Sequence, residues 1–187
     1  VYAVYLAYES FSRGVNLLCV DSKFDLIDAD SLEITSRNFV GHIIKKDPNH
    51  LSNYINLGYQ SYLCQNDESH LLEKMLFESC RLGDIRDNIK ESEPYMRNAD
   101  LVSFDLSAIK QADAPGTSHP SPNGLEAHHS CAISRYAGVS DKVSSFGIFE
   151  LDMSNESTNQ TLNLTSQIIW YFLEGFSLRV NDYPSAK

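Results

Sequence analysis

The chain has 187 residues, 42% of them hydrophobic and 21% charged, which is enough apolar material for one globular domain with a real core, read here over residues 1–187. Acidic side chains outnumber basic ones by 25 to 15, for a formal net charge of −10. The Lys and Arg residues are scattered, with only Lys45 and Lys46 adjacent, so nucleic acid and anionic membrane surfaces are excluded as expected partners.

No stretch approaches the roughly 20 apolar residues of a membrane span, and no signal-peptide pattern opens the chain. Cys19, Cys64, Cys80 and Cys131 lie far apart without C-x-x-C spacing, which leaves zinc and redox motifs unsupported. Reduced, mostly buried thiols in a cytoplasmic protein are the expectation.

In chain order, Tyr2, Val4, Tyr5, Leu6, Tyr8 and Phe11 recur at helical spacing and predict an amphipathic helix. Leu17 to Val20 reads as a strand. A helix near Phe39 to Lys45 ends before Pro48, and Tyr54 to Gly58 is a second strand. Ser69 to Cys80 is predicted as one helix with Leu71, Leu72, Met75 and Leu76 on its apolar face, followed by a short helix around Ile85 to Ile89. Leu101 to Phe104 is a strand, and Lys110 to Asn123 is a loop punctuated by Pro115, Pro120 and Pro122. Helix is expected again over Leu125 to Ala137, strand over Val143 to Phe149, and a long helix over Asn163 to Arg179. Strands alternating with helices predict an α/β domain with a mainly parallel sheet.

Chemistry concentrates at two predicted strand ends. Asp21-Ser22-Lys23-Phe24-Asp25 follows the first strand, and Ser103-Phe104-Asp105-Leu106-Ser107 closes a later one. If the chain stays extended there, residues 21, 23 and 25 share a face, because side chains alternate with period two. Carboxylates at the C-terminal ends of parallel strands stand where open α/β sheets place their ligands.

These residues carry a resemblance. Ser-Phe-Asp-Leu-Ser-Ala-Ile at 103–109, Ala114-Pro115-Gly116-Thr117 and Pro122-Asn123-Gly124-Leu125 resemble the S-F-D-x-D…A-P-G-T…G-G-L signature of the arginase, agmatinase and formimidoylglutamase family. Asp21 to Asp25 is similar to that family's D-A-H-x-D, and Phe149-Glu150-Leu151-Asp152 to its V-E-V-[ND]-P strand end. The resemblance implies a three-layer α/β/α arginase-like fold. The family's upstream G-G-x-H element would precede Val1, so the N-terminal elements are expected to be missing from this chain.

The resemblance also implies a mechanism. Family members use two divalent metals, usually manganese, whose bound hydroxide attacks a guanidinium or formimino carbon. Carried across, Asp21, Asp25 and Asp105 are retained metal ligands, while Lys23 and Ser107 stand at two degenerate ligand positions on the same ion. A protonated lysine has no lone pair to give a metal. Lys23 is therefore expected to pair with Asp21 and Asp105 and to replace one ion electrostatically, leaving at most one Mn2+, or none. Glu150 matches the family glutamate that binds the substrate's cationic end, since a carboxylate accepts two parallel N–H bonds from a planar amidine.

The implied substrate is a small formimino or guanidino compound. The implied activity is a reduced C–N hydrolase, or else a pseudoenzyme that keeps the pocket for binding or scaffolding. No general base aligns; His42 is the nearest histidine. His128 and His129 point about 100° apart on a predicted helix and do not easily share a metal. A homo-oligomer is possible, and the last helix with Trp170, Tyr171 and Phe172 is compatible with an interface.

Overall fold

The computed structural model describes residues 1–11, 14–27 and 29–180. Five strands form one all-parallel sheet: β1 (Val15–Val20), β2 (Leu51–Tyr59), β3 (Glu78–Arg81), β4 (Leu101–Asp105) and β5 (Ser145–Phe149), in the spatial order β3-β2-β1-β4-β5. The helices are α1 (Tyr2–Ser10), α2 (Phe39–Ile44), α3 (Asn66–Lys74), α4 (Leu82–Asp87), α5 (Ser92–Asn98), α6 (Ala127–Val139) and α7 (Gln160–Ser177).

Alternation along the central strand makes the layers. Leu17 and Cys19 of β1 face one cluster with Tyr5, Phe39, Val40, Ile43 and Tyr54, under α1 and α2. Leu18 and Val20 face the other with Ile85, Met96, Ile133, Leu164 and Ile168, under α4 to α7. Both faces of the sheet are covered, as an all-parallel sheet requires.

Two glycines set the outer layer. Gly138 of α6 and Gly175 of α7 face each other: a Cβ on Gly175 would stand 3.1 Å from the Gly138 Cα and would collide with the Arg135 carbonyl oxygen. Only hydrogen side chains let these two helix backbones approach so closely.

Most expected elements are present, with two corrections between residues 69 and 98. The helix expected over 69–80 stops at Lys74; Leu76 takes a left-handed φ of 58° and stays 87% exposed, and Cys80 belongs to the edge strand β3. Leu71, Leu72 and Met75 fit a helical face, but only Leu72 is fully buried. The short α5 lay unseen because Pro94 reads as a breaker, whereas in the first turn its missing N–H interrupts no hydrogen bond.

Sheet order fixes where a ligand belongs. The chain runs outward from β1 through β2 to β3, then returns to the other side of β1 for β4 and β5. The reversal falls between β1 and β4, and the crevice beyond their carboxyl ends is the switch point at which open α/β sheets bind ligands.

Candidate active site

Asp21 follows the last residue of β1 and Asp105 is the last residue of β4, so the sheet brings these two carboxylates to the switch point from sequence positions 84 apart. Glu150 follows β5 on the far side of β4. Asp21, Asp105 and Glu150 line one cavity of about 340 Å3 together with Ser103. Its walls are Tyr2, Phe39 and Phe149, with Ile34, Thr35 and Ser36 from the loop before α2. Mixed apolar walls with a few convergent polar groups are the usual make-up of a small-molecule site.

Asp25 reaches the cluster by a different route from the one expected. The chain leaves β-structure at Asp21 and turns: the Lys23 N–H donates to Asp21 Oδ1 at 2.9 Å, and Asp25 adopts a left-handed φ of 55°. The extended segment that would have put residues 21, 23 and 25 on one face is absent; an Asx turn folds Asp25 back beside Asp21. Ser107 does for Asp105 what Lys23 does for Asp21, its N–H donating to Asp105 Oδ1 at 2.7 Å. Positions 23 and 107 therefore both brace their aspartates through the backbone.

The carboxylates are strained electrostatically. Asp21 is 4% and Asp25 5% exposed. Burial is the main cause that pushes Asp21 well above the ordinary carboxylate range, with the neighbouring Asp25 adding to it. Burial likewise raises Asp25 to about 7 and Asp105 to about 8, the charge of Asp21 being the next contribution at Asp105. Asp21 and Asp25 lie close enough to shift each other, Asp25 raising Asp21 further and Asp21 drawing Asp25 back down.

Lys23 acts on Asp21 and Asp25 through its charge, yet it forms no ion pair with Asp21 or Asp105. The expected pairing of the Lys23 ammonium is thus replaced by a longer-range attraction, felt at Asp21 and Asp25. Ser107 is buried at 5% exposure and gives Asp105 a hydrogen-bond donor.

The donor chemistry suits one hard divalent cation. Three carboxylates supply oxygen ligands of the kind that manganese and magnesium take, and a cation would relieve the repulsion among these buried groups. Among the described residues, however, the three side chains whose donor atoms lie within 4.8 Å of one another are Glu126, His128 and His129, not the three aspartates. Holding one ion among the aspartates requires Asp105 to close toward the Asp21–Asp25 pair.

The Glu126–His128–His129 group corrects the expectation for the two histidines. They sit in the first turn of α6 with ring centroids 4.0 Å apart. Lys110 and Arg86 pair with Glu126 at 3.2 and 3.6 Å, which places two fixed cations where a metal would need to approach.

Sequence reasoning missed Asn56. It is fully buried on β2, and its Nδ2 donates to the Lys23 carbonyl oxygen at 2.7 Å, clamping the turn that carries Asp25. A polar residue inside Tyr54-Ile55-Asn56-Leu57 was the available signal, because a buried amide in an apolar strand needs a partner. His42 lies on α2 with its ring edge toward Tyr2, and it does not line the cavity. All four cysteines are free, but only Cys19 and Cys131 are buried.

Comparison with known proteins identifies the family. The family model described as the arginase family matches residues 2–174. Formimidoylglutamase of Staphylococcus aureus (strain MSSA476) is 28% identical over 182 residues, covering 92% of this chain and 57% of the relative. Among solved structures, formiminoglutamase of Trypanosoma cruzi with Mn2+ superposes with a TM-score of 0.85 at 19% identity, over 96% of this chain and 61% of that one. Formimidoylglutamase of Bacillus subtilis gives 0.84 at 19%, over 95% and 58%. The chain thus spans a little over half the length of the relatives it matches. It belongs to the arginase family and has the arginase-like α/β fold.

Proposed function

We propose that the chain carries the carboxylate site of an arginase-family hydrolase that cleaves a linear amidine-type C–N bond, in a formimino or guanidino substrate, with activity reduced by the changes at Lys23 and Ser107. The observation that carries this reading is the meeting of Asp21, Asp105 and Glu150 on one cavity at the switch point of the sheet. Relatives named formimidoylglutamase, and a neighbour solved with Mn2+, support the reaction class and the metal.

Asp21, Asp25 and Asp105 would hold one divalent cation, which when bound supplies hydroxide at neutral pH. Glu150 accepts the N–H groups of the substrate's amidinium and orients its carbon toward the Asp21–Asp105 side of the cavity. Its φ of 65° is unusual for a residue other than glycine and aims the side chain off the end of β5. Tyr2, Phe39 and Phe149 exclude water around the planar group, which strengthens the attraction between Glu150 and the cationic substrate.

A second reading is a pseudoenzyme that keeps the pocket for binding. It is favoured by the loss of two donors at one ion and by the open spacing of the three aspartates. Four free thiols agree with a cytoplasmic setting, and the exposed Ile169, Trp170, Leu173 and Phe176 along α7 agree with self-association.

The deciding experiment is metal content after purification in manganese, beside a Lys23→His, Ser107→Asp double variant. The hydrolase reading expects about one metal per chain, rising toward two in the variant, with turnover of formimino or guanidino compounds. No metal in the wild type removes the hydrolase mechanism and leaves the binding protein.

A further inference from the structure

A second cavity, of about 180 Å3, opens at the carboxyl ends of β2 and β3, and its lining shares no residue with the aspartate cavity. Arg81 closes β3 and Arg86 stands on α4; both line this space, and among the described residues no acidic one does. In a chain of net charge −10, two arginines on one small concavity are a local inversion of sign.

Their existing contacts leave capacity for a ligand. Arg81 Nη2 donates to Ser61 Oγ at 3.2 Å, and among the described residues Arg81 forms no ion pair. Arg86 Nη1 donates to Asn123 Oδ1 at 3.3 Å, while its Nη2 meets Glu126 from outside the cavity at 3.6 Å. A guanidinium has five N–H donors, so each arginine retains several. Asp84 opposes Arg81 in its effect on Tyr59 but does not line the cavity.

The opposite wall is rigid. Gln60 is 4% exposed; its Nε2 donates to the Asn123 carbonyl at 3.2 Å, and its Oε1 accepts from Asn123 Nδ2 at 3.1 Å and from Tyr62 Oη at 2.8 Å. Its backbone N–H donates to the Ser22 carbonyl at 2.9 Å, which fixes this wall to the turn after β1. Paired guanidinium forks above a fixed polar floor match the planar or tetrahedral oxygens of an oxyanion.

We propose that this cavity is an oxyanion site, taking the carboxylate or phosphate group of a small soluble compound. Arg81 is the principal donor and Arg86 the second. Gly83 shapes the rim: a Cβ there meets nothing within 4 Å, so an added side chain would project into open space without disturbing the fold.

The test uses the whole chain, with inorganic phosphate in one arm and succinate in the other, each titrated at constant ionic strength by calorimetry and thermal melting. Saturable binding of phosphate, succinate or both, weakened roughly tenfold or more by Arg81→Gln and by Gly83→Asp, supports the site and says which oxyanion it prefers. Arg97→Gln, outside the cavity and paired with Glu93 in the wild type, is expected to bind as the wild type does. Absence of saturable binding for both anions overturns the proposal, as does binding that survives in both cavity variants. Because metal content is not the readout, the outcome is independent of whether the aspartate site is a hydrolase.

Discussion

Replacing Asp25 by asparagine is expected to stabilise the metal-free protein, although it removes a residue of the candidate site. Asparagine keeps the shape of the side chain, tolerates the left-handed φ of 55° better than most residues, and can donate to Asp21 through its amide. What it removes is a buried charge. Raising the carboxyl from its ordinary 3.8 to about 7 corresponds to roughly 4 kcal/mol against the ionised folded state at pH 8. Relaxation and water entry absorb part of that, so a net gain of about 2 kcal/mol is expected, or about 4–8 °C in melting temperature for a chain of this length. The sign follows from linkage. A folded pKa above the unfolded one means that the wild type is most stable below pH 4 with respect to this group and loses stability as the pH rises to about 7. The advantage of Asp25→Asn should therefore be small near pH 4, grow across that window and level off above it. Thermal melts in chelator at several pH values measure this directly. With manganese added, the wild type should gain stability and the variant should not, because binding to the folded state alone raises the melting point. An Asp25→Asn protein that melts below the wild type in chelator at pH 8 would refute the claim that the aspartate cluster is held under electrostatic strain.

Other perturbations reach different parts of the argument. Glu150→Gln should raise KM for a cationic amidine by roughly tenfold to a hundredfold with a smaller change in kcat, since a charge-assisted hydrogen bond is worth about 1.5–3 kcal/mol; steady-state kinetics on an active substrate reads the split. Gly138→Ala should destabilise by about 1–3 kcal/mol, because the new methyl meets the Phe176 amide at 2.9 Å and the Phe172 carbonyl oxygen. Combining it with Gly175→Ala should cost less than the sum in thermal melts, since one separation of α6 and α7 relieves both clashes. Asn56→Leu should lower the melting point by about 1–3 kcal/mol equivalent and weaken manganese binding in a calorimetric titration, because the carbonyl of Lys23 loses its clamp.

What could be read from sequence was whatever is written in local periodicity or in a compact motif. The strand before Asp21 and the strand ending in Asp105 are short apolar runs followed by acids, and both stand where expected. β3 was not legible: only four residues long, polar and at the sheet edge, Glu78-Ser79-Cys80-Arg81 has no alternation to reveal it. The helix prediction over 69–80 ran through it because Met75 and Leu76 continue the apolar spacing. Only tertiary pairing with β2 shows that the chain has already turned. The turn at Asp25 was illegible for a related reason: side-chain-to-backbone bonds two residues long compete with extended structure, and sequence spacing does not say which wins.

Lys23 and Ser107 occupy equivalent places in their two segments. In both segments the backbone N–H two residues after the strand-end aspartate donates to it, at 2.9 Å for Asp21 and 2.7 Å for Asp105. That brace depends on the main chain alone, so lysine and serine preserve it as well as any other residue except proline. The placement of Asp21 and Asp105 is therefore insulated from which side chains stand at 23 and 107. Fully ionised, Asp21, Asp25 and Asp105 would bring three negative charges, and Lys23 would offset one of them from beyond ion-pairing distance. Two negative charges would then remain, which one divalent cation would balance. On the proposed reading this balance favours one metal, and the stoichiometry measured with and without Lys23→His tests that balance separately from catalysis.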